Sequence, residues 1–261
     1  YYPFSGNAND ESVNQLHGTV YGATLTTDRF GNPNSAYFFD GTNDYIEMPN
    51  NYILKPELPF SVSFWVKLKT LYHLQNYFFA TSPKTGTYSG CTVHTNDNGI
   101  INIRLGDDSG VIAPEGRRTK SANVNLSVGI WYHIVAVWRG STNMDIYING
   151  SEVDGYYSGT GGDMSYSSFP GTIGRDNPGY FYWGTLDDLA FYNSSLDSSD
   201  VATLFTERDC IETIYDSISV TDTLIIDIAL SVPPAMDINT IKVYPNPTKD
   251  IVYINTGDFS S

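Results

Sequence analysis

Positively charged residues are scarce in this chain of 261 residues, where 14 lysines and arginines stand against 29 aspartates and glutamates and the formal net charge is −15. A surface this acidic repels phosphodiester backbones and anionic lipid headgroups, which argues against nucleic acid as a partner. No apolar run approaches the ~20 residues that a membrane-spanning helix requires, so we expect no membrane insertion. A divalent cation remains compatible with these charges.

Cysteine is nearly missing as well, since the chain holds only Cys91 and Cys210. A disulfide between them would close a loop of roughly 120 residues and stabilise the fold by about 4 to 5 kcal/mol in an oxidising compartment. Two separate buried thiols are the alternative, and the sequence leaves both open. The cysteines and the four histidines lack zinc-site spacing, and neither a phosphate-binding loop nor a dinucleotide fingerprint occurs.

Aromatic residues are plentiful, at 14% of the sequence, and they lie in short alternating runs. In SVSFWV (61–66) every second residue is apolar, as in a strand with one face against a second sheet. Turn formers such as Asn149-Gly150 separate the runs. The runs are FSVSFWVKL (60–68), YFFATS (77–82), IINIRLG (100–106), WYHIVAVWR (131–139), MDIYING (144–150) and FYWGTLDDLAFYN (181–193). This pattern predicts an all-β, antiparallel, two-sheet sandwich.

The amino-acid composition changes near residue 208. Before that point, Asp197 or Ser198 can cap a short helix that includes Val201. After it, a stretch rich in Thr, Ser and Asp runs to a Pro-Pro pair, which is typical of an extended connector. We therefore expect a first domain at 1–208, a β-rich linker at 209–239 and a separate segment at 240–261.

Seven segments, in order along about 200 residues, carry a resemblance to a known family. They are YYPFSGNANDESVNQLHGTV (1–20), SAYFFDGTNDYIEMP (35–49), FSVSFWVKL (60–68), GIWYHIVAVW (129–138), DIYINGSEV (145–153), TIGR (172–175) and GTLDDLAFYNSSLDSSDVATL (184–204). Together they resemble the laminin-G-like, concanavalin A-like jelly rolls of secreted bacterial proteins. The resemblance implies a two-sheet jelly roll in which the first and last strands of the domain lie side by side.

The same resemblance implies a structural Ca²⁺ near that junction. The family often holds calcium with a side chain near the N-terminus, oxygens at the FDG turn and an aspartate of the last strand. Carried onto this chain, the ligands are Asp10, Asn14, Asp40, Gly41 and Asp187. Calcium takes six to eight oxygen ligands, which such a mixture supplies. The alternative is that these aspartates cap turns through hydrogen bonds to the backbone.

Asp187 and Asp188 are adjacent in a predicted strand and are therefore expected to point to opposite faces, so that only one of them can serve a given ion.

A second resemblance lies at the C-terminal end of the sequence. IKVYPNPTKDIVYIN (241–255), with YPNP at 244–247, is similar to the start of the C-terminal sorting domain that Bacteroidetes use for type IX secretion. We expect a truncated sorting domain at 240–261. It implies a secreted or cell-surface protein that meets the outer-membrane secretion machinery through this segment.

Catalytic patterns are sparse. No Glu-x-Asp-x-x-Glu or similar spacing of carboxylates typical of retaining glycosidases of this architecture occurs. Cys91 and His94 stand three apart on a predicted strand and face opposite sides, which argues against a nucleophile and base pair. We expect a domain that is not itself an enzyme, attached to a larger glycoside hydrolase or polysaccharide lyase.

Tyrosines in predicted loops favour sugar binding, because their rings stack on the C–H faces of sugars while polar neighbours bond the hydroxyls. The candidate ligand-binding residues are Tyr156 and Tyr157 in the loop GYYSGTGGD and Arg175, Asn177, Tyr180 and Tyr182 around RDNPGYFYW. Tyr72, Tyr77, Tyr88 and Tyr166 are further exposed candidates. The basic run Arg117, Arg118 and Lys120 is either a contact for an acidic polysaccharide or a solvated loop.

The sequence thus predicts a calcium-stabilised carbohydrate-binding module, with a polysaccharide or oligosaccharide as its partner, in a secreted and polysaccharide-degrading protein. The alternatives are a calcium-dependent adhesion or protein-interaction domain of a cell-surface protein, and a polysaccharide lyase that acts through Tyr and His.

Overall fold

A computed structural model of the protein describes residues 1–71, 75–111, 114–176, 179–206, 242–244 and 253–255. The chain divides into two compact units, Tyr1–Thr206 and Glu207–Ser261. Within the described ranges no helix is long and apolar enough to cross a membrane. The predicted linker at 209–239 lies outside the described residues, so the boundaries of the three predicted segments stay predictions.

Fifteen strands lie in the described part of the first unit. In chain order they are β1 Thr19–Tyr21, β2 Thr24–Thr26, β3 Ala36–Asp40, β4 Tyr45–Glu47, β5 Phe60–Leu68, β6 Gln75–Ala80, β7 Ser89–Asn96, β8 Ile100–Asp107, β9 Arg117–Asn125, β10 Trp131–Gly140, β11 Asn143–Ile148, β12 Ser151–Val153, β13 Gly155–Ser158, β14 Thr172–Ile173 and β15 Trp183–Tyr192. Two 3-10 turns, Tyr52–Leu54 and Pro114–Gly116, and one helix, α1 at Ser198–Thr206, complete it.

The strands form two antiparallel sheets. An eight-stranded sheet has the order β1-β4-β14-β6-β7-β8-β9-β13, and a seven-stranded sheet has the order β12-β11-β10-β5-β15-β3-β2. The prediction of an all-β, two-sheet sandwich is confirmed.

The two sheets share one core because every second side chain of the central strands points between them. In β5 and β10, Phe64 pairs with Ile134 and Phe60 pairs with Trp138 in the antiparallel register. All four side chains are buried in the core between the sheets, and the rings of Phe60 and Trp138 stack 4.8 Å apart. Ser61 and Ser63 alternate with the core residues Phe60, Val62 and Phe64 and therefore face away from the core.

The two ends of the first unit lie side by side, as the family resemblance implies. Tyr2 forms an antiparallel bridge with Leu189 of β15. Each residue donates its backbone N–H to the other's carbonyl oxygen, at 2.7 and 3.0 Å. The side chains of both residues are fully buried, so the bridge also closes one end of the core.

Helix α1 covers part of the outer face of the seven-stranded sheet. Asp197 caps it, since its carboxylate accepts the backbone N–H groups of Ser199 at 2.8 Å and Asp200 at 3.0 Å. Val201 packs in a small apolar cluster with Val135 and Val137 of β10. The short helix predicted around Val201 is confirmed.

In the second unit the structure describes one antiparallel strand pair, Lys242–Tyr244 with Tyr253–Asn255, in which Val243 pairs with Ile254. Of the YPNP motif only Tyr244 falls within these strands. The sorting-domain hypothesis therefore stays a prediction.

Candidate functional site

The outer face of the eight-stranded sheet carries an unusual set of polar side chains. In β8, Ile101, Ile103 and Leu105 belong to the core. Asn102 and Arg104 alternate with them and therefore point away from the core. Both are nonetheless shielded from solvent.

The neighbouring strands extend this set, because the register places Thr92 of β7 and Thr119 of β9 on either side of Arg104. His94 of β7 pairs with Tyr77 of β6. We call the set of Tyr77, Thr92, His94, Arg104, Arg117 and Thr119 the polar face.

Arg104 is the centre of the polar face. Its Nη1 donates to the Tyr77 hydroxyl at 3.1 Å, and its Nη2 lies 3.1 Å from His94 Nε2. The rings of Tyr77 and His94 stack with centroids 4.6 Å apart. The guanidinium also lies 4.9 Å from the ring centroid of Tyr88, a cation–π distance. Arg104 is thus held by neutral groups on several sides.

Burial and the arginines set the protonation of this region. Burial, aided by the charges of Arg104 and Arg117, lowers the pKa of His94 well below its usual value, so its ring is neutral and Nε2 can accept from Arg104. Burial also raises the pKa of the nearby Asp176 carboxyl to about 6, although Arg104 and a hydrogen bond from Tyr77 work in the opposite direction. A buried carboxyl that titrates near neutrality therefore lies beside a buried arginine.

Several buried atoms of the polar face have no hydrogen-bond partner within the described part of the chain. They are Thr92 Oγ1, His94 Nδ1, Arg104 Nε, Arg117 Nε and Thr119 Oγ1. Buried polar atoms in folded proteins nearly always have a partner, because an unpaired one costs about 1 to 3 kcal/mol. Five of the eleven such atoms among the described residues belong to the polar face.

A small cleft opens beside these atoms. Its cavity volume is about 10 Å³, which is room for about one water molecule. The residues that line it are Pro83, Lys84, Thr87, Tyr88, Ser89, Gly90, Thr92, Arg104, Gly106 and Asp176. Gly106 is needed for this shape, since a Cβ there would lie 2.3 Å from the carbonyl carbon of Tyr88. The missing side chain lets Tyr88 lie against the sheet beside Arg104.

The structure does not bring the predicted ligand-binding residues of the segment RDNPGYFYW together at one site. The Tyr180 ring lies 5.9 Å from that of Tyr77 and is 39% exposed, so it lies beside the polar face. The Arg175 guanidinium lies 3.6 Å from the ring centroid of Tyr45. Asn177 lies outside the described residues. The prediction for Tyr182 is wrong, because its ring is fully buried in the core between Phe39 and Phe78.

Tyr156 and Tyr157 lie on β13, an edge strand, and not in a loop as the sequence suggested. Tyr156 pairs with Ser121 and is 54% exposed. Tyr157 points the other way, and its hydroxyl lies within hydrogen-bond distance of both backbone groups of Met144. Of the two, Tyr156 is the one on the side of the polar face.

The predicted basic loop is also a strand. Arg117, Arg118 and Lys120 lie on β9, and alternation separates them. Arg117 lies over the Tyr88 ring at 5.0 Å, on the cleft side. Arg118 and Lys120 instead flank the Tyr157 ring at 5.7 and 5.9 Å. Only Arg117 joins the polar face.

Cys91 and His94 lie on opposite sides of β7, as predicted. Cys91 is in the core, where burial raises the pKa of its thiol to about 12, and it is a free thiol in the described structure. Cys210 lies outside the described residues.

Asp10, the first predicted calcium ligand, is bonded within its own loop. Its carboxylate accepts from the amino group of Tyr1 at 2.8 Å, from the backbone N–H groups of Ser12 and Leu16, each at 2.9 Å, and from the Ser12 hydroxyl. Burial alone would raise the pKa of Asp10, but these bonds outweigh burial and hold it at about 2. The carboxylate therefore has its donors without a metal.

The other N-terminal candidates form turns. Asp40 accepts the backbone N–H of Thr42 at 2.8 Å, and Gly41 follows it with φ of +75° in the same turn. The Asn14 side chain lies 3.5 Å from the Ser12 hydroxyl and is exposed. These contacts match the turn-capping alternative.

The side chains of Asp187 and Asp188 do not point to opposite faces, as strand alternation predicted. A bulge interrupts the pairing of β15 between Asp187 and Ala190, and Asp188 has φ of +50°. As a result, both carboxylates reach the same group, since Arg29 Nη1 lies 2.6 Å from Oδ2 of each. They share one cation, and the expectation that they face opposite sides is wrong.

A buried guanidinium therefore already neutralises the carboxylate that was expected to bind calcium. Within the described residues no group of three or more His, Cys, Asp or Glu side chains has the arrangement of a metal site. Asp10 and Asp187 each have partners of their own, Asp10 within its loop and Asp187 at Arg29. Calcium binding stays a prediction that chelation tests.

Comparisons with solved structures agree with this fold. Domain 4 of the extracellular arabinanase AbnA from Geobacillus stearothermophilus, solved with arabinotriose, is 19% identical, with a TM-score of 0.55 over 78% of this chain and 96% of that one. The binding domain of botulinum neurotoxin serotype D is 15% identical, with a TM-score of 0.53 over 76% and 50% of the two chains. Botulinum neurotoxin type C, whose cell entry depends on interaction with two ganglioside molecules, is 13% identical, with a TM-score of 0.52 over 77% and 50%.

At these identities the structural likeness shows the fold alone, and the chain spans about half the length of the toxin chains that it matches. A search of curated protein sequences found no match. The family model for the concanavalin A-like lectin/glucanases superfamily matches residues 40–202, which is more than half of the sequence. The chain therefore belongs to the concanavalin A-like lectin/glucanases superfamily.

Proposed function

We propose that residues 1–206 form a non-catalytic carbohydrate-binding domain whose glycan site is the polar face and its adjoining cleft. The observation that carries this proposal is the group of five buried polar atoms that lack a partner within the described residues. Sugar hydroxyls donate and accept hydrogen bonds, so they complement the hydroxyl, imidazole and guanidinium atoms that this face offers.

Aromatic rings around the cleft supply the second half of a sugar site. Tyr88 lines the cleft, and Tyr180 lies beside Tyr77 of the polar face. Tyrosine rings stack on the C–H faces of sugars at a low entropic cost, because the side chain has few rotatable bonds. The arrangement combines polar groups beneath the ligand with rings beside it.

The alternative of a polysaccharide lyase acting through Tyr and His is not supported by the protonation of the site. Tyr77 and His94 do lie in contact. However, burial raises the pKa of Tyr77, whereas burial and the two arginines lower that of His94. A general base works best when its pKa lies near the working pH, and both groups are displaced from it. The site is suited to binding and not to turnover.

The comparisons support the ligand class. The arabinanase domain was solved with arabinotriose, and entry of the type C toxin depends on ganglioside molecules, which are glycolipids. We extend the proposal to a secreted or cell-surface parent protein that degrades polysaccharides, in which this domain raises the local concentration of substrate. The YPNP motif at 244–247 supports export through the outer-membrane secretion machinery.

Affinity electrophoresis of the full chain tests the proposal. Gels that contain neutral and acidic plant and marine polysaccharides should retard the protein, and Tyr88→Ala and Tyr180→Ala should reduce that retardation. Trp131→Ala is the matched control, since Trp131 lies on the other sheet. Absence of retardation by every polymer would overturn the proposal and favour the adhesion or protein-interaction alternative. An equal loss with Trp131→Ala would overturn the assignment of the site.

A further inference from the structure

The cleft beside the polar face matches one water molecule in size. Its cavity volume is about 10 Å³, and a cavity of roughly that size is the smallest that can hold a water. A buried water also needs about two to four polar partners. The polar atoms that line the cleft therefore decide whether a water binds there.

Several polar side chains of the lining already have partners within the fold. The Ser89 hydroxyl donates to the carbonyl oxygen of Ser82 at 2.6 Å. The Lys84 ammonium group donates to the carboxylate of Asp108 at 2.9 Å. The hydroxyl oxygen of Thr87 accepts a backbone N–H at 3.1 Å. These three side chains are thus bonded without a water.

Thr92 and Arg104 line the same cleft and keep atoms without a partner. Thr92 Oγ1 and Arg104 Nε are buried, and neither has a hydrogen-bond partner among the described residues. The two residues pair directly across β7 and β8, so they lie side by side on the sheet. Buried polar atoms nearly always have a partner, either from the protein or from an ordered water.

Asp176 supplies a complementary acceptor to the same lining. Its side chain is buried and accepts a hydrogen bond from Tyr77. An ionised carboxylate has about four acceptor sites, so it can take further donors. Arginine Nε–H can only donate, whereas a threonine hydroxyl can both donate and accept. Only a molecule that donates and accepts at once satisfies all three groups, and water does so.

We infer that the cleft is a binding site for one ordered water molecule, which accepts from Arg104 Nε, donates to the Asp176 carboxylate and bonds the Thr92 hydroxyl. The water joins β7 and β8 to the segment that follows β14. The backbone N–H of Asp176 donates to the carbonyl oxygen of Tyr180 at 3.2 Å, so a fixed Asp176 also positions Tyr180. The inference goes beyond the proposed function and does not depend on it.

The water site is compatible with a glycan on the polar face. His94 Nδ1, Arg117 Nε and Thr119 Oγ1 also lack a partner among the described residues, and they belong to side chains that do not line the cleft. The water leaves these three atoms as they are. A water beneath a ligand can also stay in place, because bridging waters are common in binding sites.

A high-resolution crystal structure of the full chain is the direct test. We expect one peak of solvent density within hydrogen-bond distance of Thr92 Oγ1, Arg104 Nε and the Asp176 carboxylate. Growth of the crystals in bromide in place of chloride should give no anomalous signal at that peak. A dry cleft, direct bonds among the three groups, or an anomalous signal from a bound anion would overturn the inference.

Two threonines of β7 provide matched variants in solution. Thr92→Val keeps the shape of the side chain but removes one partner of the water, so it should lower the melting temperature by about 2 to 4 °C. Thr95 Oγ1 is also buried without a partner among the described residues, but Thr95 does not line the cleft. Thr95→Val should leave the melting temperature unchanged or raise it, because a methyl group removes the cost of an unbonded hydroxyl.

A carbon-13 NMR titration of the Asp176 carboxyl adds a readout that lost packing would not move. Thr92→Val should raise the pKa of Asp176 above its value of about 6, because it weakens a hydrogen bond to the charged form. Arg104, Arg175 and Tyr77 also act on this carboxyl, and both variants keep them. Thr95→Val should leave the pKa unchanged.

The outcomes of the variants are distinct from those of the glycan experiments. Equal changes in melting temperature from Thr92→Val and Thr95→Val, or an Asp176 titration that Thr92→Val does not shift, would contradict the water bridge and leave the carbohydrate-binding proposal standing. Failure to bind any polysaccharide would overturn that proposal and leave the water site intact.

Discussion

A buried arginine lies on the outer face of each sheet, but only one of the two is paired with carboxylates. On the seven-stranded sheet, Arg29 Nη1 lies 2.6 Å from both Asp187 and Asp188, and its guanidinium lies 4.7 Å from the Trp65 ring. On the eight-stranded sheet, Arg104 contacts a phenol, an imidazole and an aromatic ring. The first charge is paired with two carboxylates of the fold, whereas the second has no carboxylate within 4.0 Å among the described residues.

The histidines show the same contrast. His133 Nε2 lies 2.8 Å from the Ser63 hydroxyl, and the ring is enclosed by Trp65 and by Phe205 of α1. Burial, with Arg29 as a lesser cause, lowers the pKa of His133 to about 4, so it stays neutral. The helix covers this side, while the polar face borders a cleft. Both the cluster around Arg29 and the polar face around Arg104 are buried, so burial does not distinguish them. They differ in whether the arginine is paired with a carboxylate.

The largest predicted effect comes from replacing each arginine by methionine. Arg29→Met leaves two adjacent carboxylates without their shared cation, and removal of one partner from a buried ion pair costs about 3 to 5 kcal/mol. Arg104→Met removes a charge that has no carboxylate within 4.0 Å in the described structure, so we expect less than half of that loss. Urea unfolding of the two variants measures both free energies.

If Arg29→Met and Arg104→Met lowered the free energy of unfolding equally, the proposed difference between a paired and an unpaired arginine would be wrong. Arg139→Met is a useful reference, since Arg139 pairs with Asp145 at a partly exposed position and surface pairs contribute at most about 1 kcal/mol.

A smaller effect is expected from Asp176, which burial gives a pKa of about 6 against an ordinary value of 3.8. Because the folded-state pKa is raised, the unfolded chain releases this proton first as pH rises, and stability falls between about pH 4 and pH 6. Asp176→Asn removes this cost, so its stability relative to the unmodified chain should rise by up to about 3 kcal/mol across that window. Thermal melts at pH 4 and pH 7 measure the difference.

A variant whose relative stability does not change between those two pH values would show that Asp176 is already charged and compensated at low pH. The polar face would then resemble the Arg29 cluster, because its buried carboxylate would be matched by a cation within the fold.

Much of this architecture follows from local pattern. The alternation in SVSFWV (61–66) identifies a strand with one core-facing side, and the structure places Val62, Phe64 and Val66 in the core. Periodicity around Val201 identifies the helix. These signals depend on residues close in sequence, so the sequence alone reveals them.

The candidate site was harder to predict, because it depends on pairing between distant segments. The polar residues Asn102 and Arg104 within an apolar strand are a signal of an outward polar face, but Tyr77 and Arg117 meet Arg104 only through the register of four strands. Tyr156 pairs with β9, over 30 residues earlier, which no local pattern in GYYS indicates. Local alternation also fails at Asp188, where a bulge reverses the expected direction.

The smallest predicted effect concerns calcium, and it follows from the same contrast. Asp10 accepts hydrogen bonds from its own loop and Asp187 is paired with Arg29, so both carboxylates have partners within the fold. We expect millimolar EDTA to leave the melting temperature of the chain unchanged, and added calcium chloride to have no effect beyond that of ionic strength. A ligand at 100 times its dissociation constant adds about 2.7 kcal/mol of stability. If EDTA instead lowered the melting temperature reversibly by several degrees, calcium binding would be supported. The ligands would then be oxygen atoms that the contacts of Asp10 and Asp187 leave available.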